Sequence, residues 1–227
     1  MSKERGSSAA GGLSGPRARL QALIREKCVL HGDFLLASGQ RSKVFFDCKR
    51  ATLDPEGIHL IGTLILEVLD DLARRDGRPI DAIGGPTIGA DPIVGHVAGR
   101  SWERAASVGR AGAGTRGLGR AHDTASPAGA AAAAAPRPIR AFLVRKEAKD
   151  HGTQRLIEND VPDGSRVAIV EDVVTTGGST LQAIRNVEEA GLQVVVVISV
   201  VDREQGGDQA LARYRYIPLY HKSDFGL

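Results

Sequence analysis

The sequence has few aromatic residues, only two cysteines and no long apolar run, which is consistent with an ordinary globular protein. Aromatic residues make up only 4% of its 227 residues, so the core must be built from Val, Ile, Leu and Ala. The only cysteines are Cys28 and Cys48, and so sparse a pair is typical of free thiols in a reducing compartment. There is no apolar run long enough to cross a bilayer, and the N-terminal stretch has no signal-peptide core. We therefore expect a cytoplasmic protein without a membrane partner.

Positive charge is in slight excess, but it is not arranged for binding nucleic acid. The net charge is +3, and residues 100–137 hold six arginines against two acids. The excess therefore lies in one low-complexity segment and not on a patterned face with interleaved aromatic residues. A nucleic-acid partner is accordingly not expected, although a basic segment of this kind could add such a contact.

The chain divides into a leader, a single domain and an insertion. Residues 1–17 are rich in Ser, Gly and Ala and predict a disordered leader. Residues 18–227 have the length and hydrophobic content of one domain with its own core. Within this domain, residues 103–137 are mainly Gly, Ala and Arg with almost no aliphatic periodicity, which predicts an inserted segment with a disordered centre.

The spacing of apolar residues predicts an α/β domain. Helical spacing predicts a helix over residues 18–28, and a second helix follows the capping residue Asp54, with Pro55 at its first position. Continuous aliphatic runs predict buried strands within residues 139–145, 166–170 and 193–202. Strands that alternate with helices in this way form a parallel sheet covered by helices on both faces.

The stretch VAIVEDVVTTGGSTLQAI, residues 167–184, combines a strand, two acids and a loop of small residues. The loop at 175–179 has little side-chain bulk, and Gly177 and Gly178 permit positive φ angles and close backbone approach. A helix predicted to begin near Thr180 points its positive end at this loop. Free amides at a helix N-terminus form a site for a dianionic phosphate, with Thr and Ser hydroxyls as further donors. The competing interpretation is a plain turn with solvated acids.

The order of acids and glycines excludes two common phosphate sites. A P-loop would place a lysine after its glycines, and a dinucleotide fingerprint would place its acid about twenty residues after them. Here Glu171 and Asp172 come just before the loop, where they would repel a phosphate unless they bind another part of the same molecule. A sugar phosphate meets both requirements, because the loop can bind the phosphate while the two carboxylates accept hydrogen bonds from ribose hydroxyls.

A second candidate site is the stretch RKEAKDHG, residues 145–152, which follows a predicted strand. Its cations are Arg145, Lys146, Lys149 and His151. With no apolar anchor and a glycine at its end, this cationic segment has the composition of a mobile lid. Its charges suit a polyanionic leaving group such as pyrophosphate. The alternative is a solvated charge run balanced by Glu147 and Asp150.

Together these stretches resemble the orotate phosphoribosyltransferases, a branch of the type I phosphoribosyltransferase family. VAIVEDVVTTGGST resembles the family's binding motif for 5-phosphoribosyl-1-diphosphate (PRPP), and VRKEAKDHGT resembles the lid of the orotate members. LLASGQRSKVFFDCKR, GGPTIGADPI and VVDREQGG also match, so the resemblance covers the chain from about Leu20 onward except for the insertion. It implies a type I phosphoribosyltransferase fold: a central parallel sheet flanked by helices, with a small hood formed by N-terminal and C-terminal segments.

The resemblance implies transfer of the 5-phosphoribosyl group of PRPP to orotate, which gives orotidine 5′-monophosphate and pyrophosphate in pyrimidine biosynthesis. Two alternatives stay open, a phosphoribosyltransferase for another base and a PRPP-binding regulatory paralogue. Mg²⁺ is implied as a cofactor carried by the pyrophosphate and the ribose hydroxyls, and we expect no metal site built from protein side chains alone. The resemblance also implies a homodimer in which the lid of one subunit reaches the active site of the other.

The implied site residues follow from matching these motifs position by position. The implied catalytic residues are Lys149 and Asp172. The residues implied to bind PRPP are Arg145, Lys146, Lys149, His151, Glu171, Asp172, Val173, Val174, Thr175, Thr176, Gly177, Gly178 and Ser179. Those implied to contact orotate are Thr175, Arg203, and Phe45 and Phe46 through their backbone or their rings. A guanidinium can bind a carboxylate through two hydrogen bonds, but Arg203 could instead form a surface ion pair with Asp202 or Glu204.

Two positions depart from the family pattern. Many members have a lysine where Ala37 stands and another near Gly89, and both lysines would contact PRPP or its pyrophosphate. Arg41 or Lys43 could take over these contacts, since both lie close to Ala37 in the sequence. The departures leave open which cations of this chain would bind the diphosphate.

Overall fold

The structure of the chain is a computed structural model that describes residues 15–35, 39, 41–113, 136–146 and 156–227. Most of the predicted leader and the centre of the predicted insertion lie outside these ranges. The same is true of Ala37 and of Lys149 and His151 in the cationic segment, so their predicted roles rest on the sequence alone.

Helices and strands alternate along the described chain. In chain order the elements are α1 (Gly15–Lys27), β1 (Val29–Leu35), β2 (Arg41–Phe46), α2 (Lys49–Thr52), α3 (Pro55–Asp76), β3 (Ala82–Pro86), α4 (Asp91–Ala113), β4 (Arg140–Val144), β5 (Ile157–Glu158), β6 (Arg166–Val174), α5 (Gly178–Glu189), β7 (Gln193–Asp202), α6 (Gly207–Ala210) and β8 (Tyr216–His221). A 3₁₀ helix, Lys222–Phe225, follows β8. Within the described ranges, no helix is both long enough and apolar enough to cross a membrane.

A six-stranded sheet in the order β5-β4-β3-β6-β7-β8 forms the centre of the fold. Neighbouring strands are parallel from β4 to β8 along this order, which confirms the predicted parallel sheet, although β8 itself was not predicted. The exception is β5, which pairs antiparallel with β4 through Leu143 and Val144. The sequence predicts a polar loop over residues 146–160, and this prediction is wrong for Ile157 and Glu158. A strand this short has no periodicity to reveal it.

Strand β6 is buried on both faces, which explains its continuous run of aliphatic residues. Ala168 and Val170 belong to the core covered by α1, α3 and α4, whereas Val167 and Ile169 belong to the core covered by α5. All four are fully inaccessible to solvent. Alternate residues of a strand point to opposite faces, so a strand segment with helices on both sides is apolar at successive positions, as residues 167–170 are.

Helix α3 begins and ends where the sequence predicts. The Asp54 carboxylate accepts hydrogen bonds from the backbone N–H groups of Glu56 (3.0 Å) and Gly57 (2.9 Å), and Pro55 occupies the first helical position. These bonds satisfy amides that have no partner within the helix. At the other end, Gly77 adopts a left-handed conformation with φ of 64°, which a residue with a side chain rarely adopts.

Three helix boundaries differ from the prediction. Helix α1 begins at Gly15, inside the predicted leader. Helix α4 continues to Ala113, so residues 103–113 of the predicted insertion are helical. Alanine and arginine favour helices even without an apolar stripe, and Arg104 forms an ion pair with Asp70 of α3. Helix α5 begins at Gly178, slightly before the predicted start.

The predicted hood consists of the antiparallel pair β1–β2, helix α1 and the 3₁₀ helix near the C-terminus. Tyr220 at the end of β8 donates a hydrogen bond from its hydroxyl to the Arg17 carbonyl (2.6 Å), and Arg17 donates to the Leu219 carbonyl (2.6 Å). The ring of Phe46 on β2 packs edge-on against Phe225, with centroids 5.5 Å apart. These contacts fasten the N-terminal segments to the end of β8, beside the carboxyl edge of the central sheet.

We predict that Leu23→Ala destabilises the protein by about 2–5 kcal/mol, because the side chain is 1% exposed and anchors α1 to the core. Leu53→Ala is the matched control, since it removes the same atoms from a side chain that is 70% exposed. The control should change stability by less than about 0.5 kcal/mol. Urea denaturation followed by circular dichroism measures both. Equal effects of the two substitutions would contradict the assignment of α1 to the core.

Candidate active site

The carboxyl end of β6 and the start of α5 form the predicted phosphate loop. Gly177 precedes the helix with φ of 78°, a left-handed conformation that favours glycine. No side chain in the described part of the chain caps this helix, so its first amides keep their hydrogen-bonding capacity. The loop 175–177 lies at the carboxyl edge of the parallel strands, where open α/β sheets bind ligands. The local geometry is that of an anion site.

The acid pair lies within β6 itself, because the strand continues to Val174, beyond the apolar run that ends at Val170. The side chain of Val174 is buried, so only its backbone could contact a ligand. Glu171 is 6% exposed, and the hydroxyls of Thr180 (3.3 Å) and Ser179 (3.5 Å) donate to its Oε2. Ser179 is among the residues implied to bind PRPP, and the sequence predicts that the helix begins near Thr180. In the structure both hydroxyls face the acid, because a buried carboxyl group requires hydrogen-bond partners.

Burial also changes the proton equilibrium of the acid pair. Loss of solvent, and then the charge of Asp172, raises the pKa of Glu171 to about 8, against the hydroxyl hydrogen bonds and the charge of Lys146. Burial likewise raises the pKa of Asp172, whose Oδ1 accepts a hydrogen bond from the Val173 amide (2.9 Å). At neutral pH the pair therefore holds a proton in the free protein, chiefly on Glu171.

Gly89, in the loop after β3, lies directly against Asp172. A Cβ built on Gly89 would lie 2.7 Å from the Asp172 Cγ and still closer to its Oδ1, which is well inside van der Waals contact. Any side chain at position 89 would therefore displace the acid. This contact gives a physical reason for glycine at position 89, near which many members of the family that the sequence resembles have a lysine.

Lys49 is a cation near this site that the sequence analysis did not identify. Its Nζ lies 3.1 Å from Asp47 Oδ1, and its charge opposes the upward shift in the pKa of Asp172. Lys49 follows the hood strand β2, in the sequence DCKR that the resemblance already covered. In contrast, Arg41 and Lys43, the two expected substitutes, both pair with Asp33 in the exposed part of the hood.

Arg203 is 4% exposed and follows β7 at the same edge of the sheet. Its Nη2 donates to the Val44 carbonyl (3.1 Å) and to Ser42 Oγ (3.4 Å) on the hood strand β2. Its Nε has no partner, and its guanidinium forms no ion pair within the described ranges. Loss of solvent lowers its pKa. The alternative interpretation, a surface ion pair with a neighbouring acid, is therefore wrong. A buried guanidinium without a counter-charge can bind a carboxylate strongly.

The two predicted phenylalanines have different environments. Phe46 is 3% exposed, with its ring in the hydrophobic core, so of the two predicted contacts, backbone or ring, only the backbone is free to meet a ligand. Phe45 is half-buried and packs against Phe34 with ring centroids 5.5 Å apart. The backbone of these residues lies beside Val44, whose carbonyl binds Arg203.

At the start of the cationic segment, Arg145 is already engaged. Its Nη1 lies 2.9 Å from Glu158 Oε1, so this ion pair joins the residue after β4 to the antiparallel strand β5. Lys146 is exposed and close enough to influence the pKa of Glu171. The structure thus brings together the acid pair, loop 175–179, Lys146 and Arg203. The side chain of Phe46 is instead part of the hydrophobic core, and the side chain of Arg145 forms an ion pair with Glu158.

We predict that Glu171→Gln raises the melting temperature increasingly as pH rises. The pKa of Glu171 is raised by folding, so its contribution to stability is complete below about pH 4.5 and is lost as pH approaches 8. Glutamine cannot ionise and avoids this loss, which is on the order of 5 kcal/mol at pH 9, at about 1.4 kcal/mol per unit of pKa. Thermal denaturation from pH 5 to 9 tests this prediction.

Glu189→Gln, at the exposed end of α5, is the control and should show no advantage that grows with pH. If Glu171→Gln and wild type melted with the same pH dependence, Glu171 would not be a carboxyl group that burial keeps protonated.

The chain is similar to known proteins over most of its length. Residues 115–216 match the family model of the phosphoribosyl transferase domain. The orotate phosphoribosyltransferase of Streptomyces coelicolor is 37% identical over 214 residues, which covers 93% of this chain and 97% of that protein.

Solved structures extend the similarity to the fold. An orotate phosphoribosyltransferase from Mycobacterium tuberculosis is 35% identical with a TM-score of 0.67, covering 94% of this chain and all of the other. A structure of the Mycobacterium tuberculosis enzyme with PRPP is 31% identical with a TM-score of 0.64, at the same coverage. On this identity and coverage, the chain belongs to the orotate phosphoribosyltransferase family of type I phosphoribosyltransferases.

Proposed function

We propose that the chain transfers the 5-phosphoribosyl group of PRPP to orotate, releasing pyrophosphate and forming orotidine 5′-monophosphate. The main observation behind the proposal is that two half-sites lie at one edge of the sheet. One half-site is the acid pair with the phosphate loop 175–179, and the other is Arg203. The acid pair and phosphate loop suit a ribose phosphate, and the buried Arg203 next to them suits a carboxylate. Substrates of these two chemical types are named for similar proteins, since relatives are orotate phosphoribosyltransferases and one structure holds PRPP.

PRPP would bind along the end of β6. The amides of residues 175–179 would bind the 5-phosphate at the N-terminus of α5. Asp172 and Glu171 would accept hydrogen bonds from the ribose hydroxyls. Lys49, whose charge already acts on Asp172, would contribute positive charge near the ribose. Lys146, whose charge acts on Glu171, begins the cationic segment that we propose as the lid over the diphosphate.

Orotate would bind between Arg203 and the hood. Its carboxylate would supply the counter-charge that the Arg203 guanidinium lacks within the described chain, while Thr175 and the backbone near Phe45 and Phe46 would orient the ring. Because Arg203 is fixed to the Val44 carbonyl, the guanidinium is already oriented before a ligand arrives. Such preorganisation reduces the free-energy cost of binding.

In the reaction, a bond would form between orotate N1 and ribose C1 while the bond from C1 to the diphosphate oxygen breaks. The N1 proton leaves to solvent, and the bonding electrons leave with pyrophosphate. The protein holds N1 and C1 in line, excludes water and stabilises the charge that grows on the leaving group. We assign this stabilisation to the cations of the lid, with Lys149 as the main catalytic residue.

Mg²⁺ would enter with PRPP, because the diphosphate and the ribose hydroxyls offer the oxygen ligands that this ion prefers. Bound Mg²⁺ neutralises part of the diphosphate charge. Asp172 is the acid of the pair that is only partly buried, and it could bind the ion through ribose hydroxyls or water. In the described part of the chain, no group of three or more His, Cys, Asp or Glu residues could hold a metal ion.

The proposed assembly is a homodimer in which the lid of each subunit closes over the active site of the other. The proposal of a homodimer rests on the family resemblance given above, which implies this arrangement. We propose a cytoplasmic location, for which the two buried cysteines, both free thiols, are suitable. No membrane or nucleic-acid partner is part of the proposal.

The decisive assay follows orotate consumption spectrophotometrically with PRPP and Mg²⁺. Wild type should turn over orotate, and Lys149→Ala should lower kcat about a hundredfold or more, as expected for loss of one preorganised electrostatic group. Lys27→Ala is the matched control, because it removes an equal charge from a surface ion pair with Asp54 and should leave kcat unchanged. Excess chelator should stop the reaction and added Mg²⁺ should restore it.

The outcomes separate the competing functions. Binding of PRPP without orotate turnover would overturn the proposal and favour another base or a regulatory protein. Equal turnover by wild type and Lys149→Ala would support the proposed reaction but contradict the proposed role of the lid.

A further inference from the structure

The chain between β7 and α6 lies between the two half-sites. We define it as the connecting turn, residues 202–207, with the sequence DREQGG. It contains Arg203 at one end and Gly207 at the other, and it packs against the beginning of the phosphate loop. The turn therefore contacts both proposed substrate sites without being part of the phosphate loop.

At its first end, the turn is bonded to the end of β6. The Arg203 amide donates to the Val174 carbonyl at 2.9 Å, and Asp202 pairs with Val174 in the register of the sheet. Thr175, the first residue of the phosphate loop, follows directly. The backbone of the proposed orotate-binding residue is thus one hydrogen bond away from the strand that leads into the loop.

At its other end, the turn touches the loop through a glycine that has no space for a side chain. A Cβ built on Gly207 would lie 2.9 Å from the Thr175 carbonyl oxygen and closer still to a methyl group of Val174. A Cβ built on Gly177 would lie 3.5 Å from the Gly207 Cα and carbonyl oxygen. Two glycine backbones therefore pack against each other where the loop enters α5.

Hydrogen bonds hold the turn in one shape. The Asp202 carboxylate is 1% exposed and accepts a hydrogen bond from the Glu204 amide (2.7 Å). Glu204 has φ of 54°, a left-handed conformation that is uncommon for a residue with a side chain. Its carboxylate accepts hydrogen bonds from the amide (2.7 Å) and hydroxyl (3.0 Å) of Ser223 in the 3₁₀ helix. The surrounding structure thus maintains a backbone conformation that the sequence alone would not favour.

We infer that the connecting turn is a positioning element that fixes Arg203 and the phosphate loop relative to each other, and that Gly207 is its key residue. The inference rests on the proposed function, because it assigns the turn to the alignment of orotate with PRPP. In-line transfer needs both reacting atoms in register, and small displacements of bound groups cost large factors in rate. Gly207 and Glu204 act through their neighbours and need not touch either substrate.

The test is Gly207→Ala, with Gly99→Ala as the control. The added methyl at position 207 must push the Thr175 carbonyl and Val174 away, whereas nothing lies within 4 Å of the same methyl at position 99. We expect Gly207→Ala to raise KM for PRPP and KM for orotate about tenfold or more, and to weaken binding of inorganic phosphate measured by calorimetry. The control should keep wild-type values of all three.

Glu204→Ala is the second variant, because it removes the bonds to Ser223 at an exposed position and should fold even if Gly207→Ala does not. We expect it to raise KM for orotate by several-fold with a smaller effect on KM for PRPP, and Glu204→Gln should recover part of the loss. Wild-type KM values in either correctly folded variant, measured with an active wild type, would overturn the inference. Absence of orotate turnover by wild type itself would instead overturn the proposed function.

Discussion

Strand β6 is buried on both faces, and this burial determines where the chain can place its chemistry. Residues 167–170 fill two hydrophobic cores, so the polar residues of this strand lie towards its two ends, with Arg166 at the amino end and the acid pair near the carboxyl edge. Glu171 emerges there while still 6% exposed, which raises its pKa and requires hydroxyl partners from α5. The same edge holds the phosphate loop and Arg203. Burying the acid pair and Arg203 is costly in free energy. Substrates that bring complementary groups to these side chains can offset part of that cost.

Local signals in the sequence were sufficient for much of the fold. Asp54 and Pro55 define the start of α3 because capping acts within a few residues, and the short Val- and Ile-rich runs of β6 and β7 favour buried strands. The end of α4 was missed because residues 103–113 have helix-forming composition without an apolar stripe. Strand β5 was missed because two residues have no period, and its pairing with β4 depends on tertiary contact.

The candidate site was predictable as a set of motifs but not as an arrangement. Spacing and residue type identified Glu171, Asp172 and the loop at 175–179. They did not predict that Ser179 and Thr180 would face the acid, since that follows from burial. The surroundings of Arg203 come from Ser42 and Val44, which are distant in sequence. Lys49 and Gly89 matter to the site because they lie near Asp172, and this proximity arises only when the chain folds.

The central claim is that the acid pair binds ribose while the adjacent loop binds phosphate. The most direct test is calorimetric titration of wild type and Asp172→Asn with PRPP and with inorganic phosphate. Asparagine keeps the shape of the side chain but removes a charged acceptor, so affinity for PRPP should fall about tenfold to a hundredfold. Affinity for inorganic phosphate should be unchanged or higher, because a negative charge near the loop is lost. An unchanged affinity for PRPP, or equal losses for both ligands, would contradict the account.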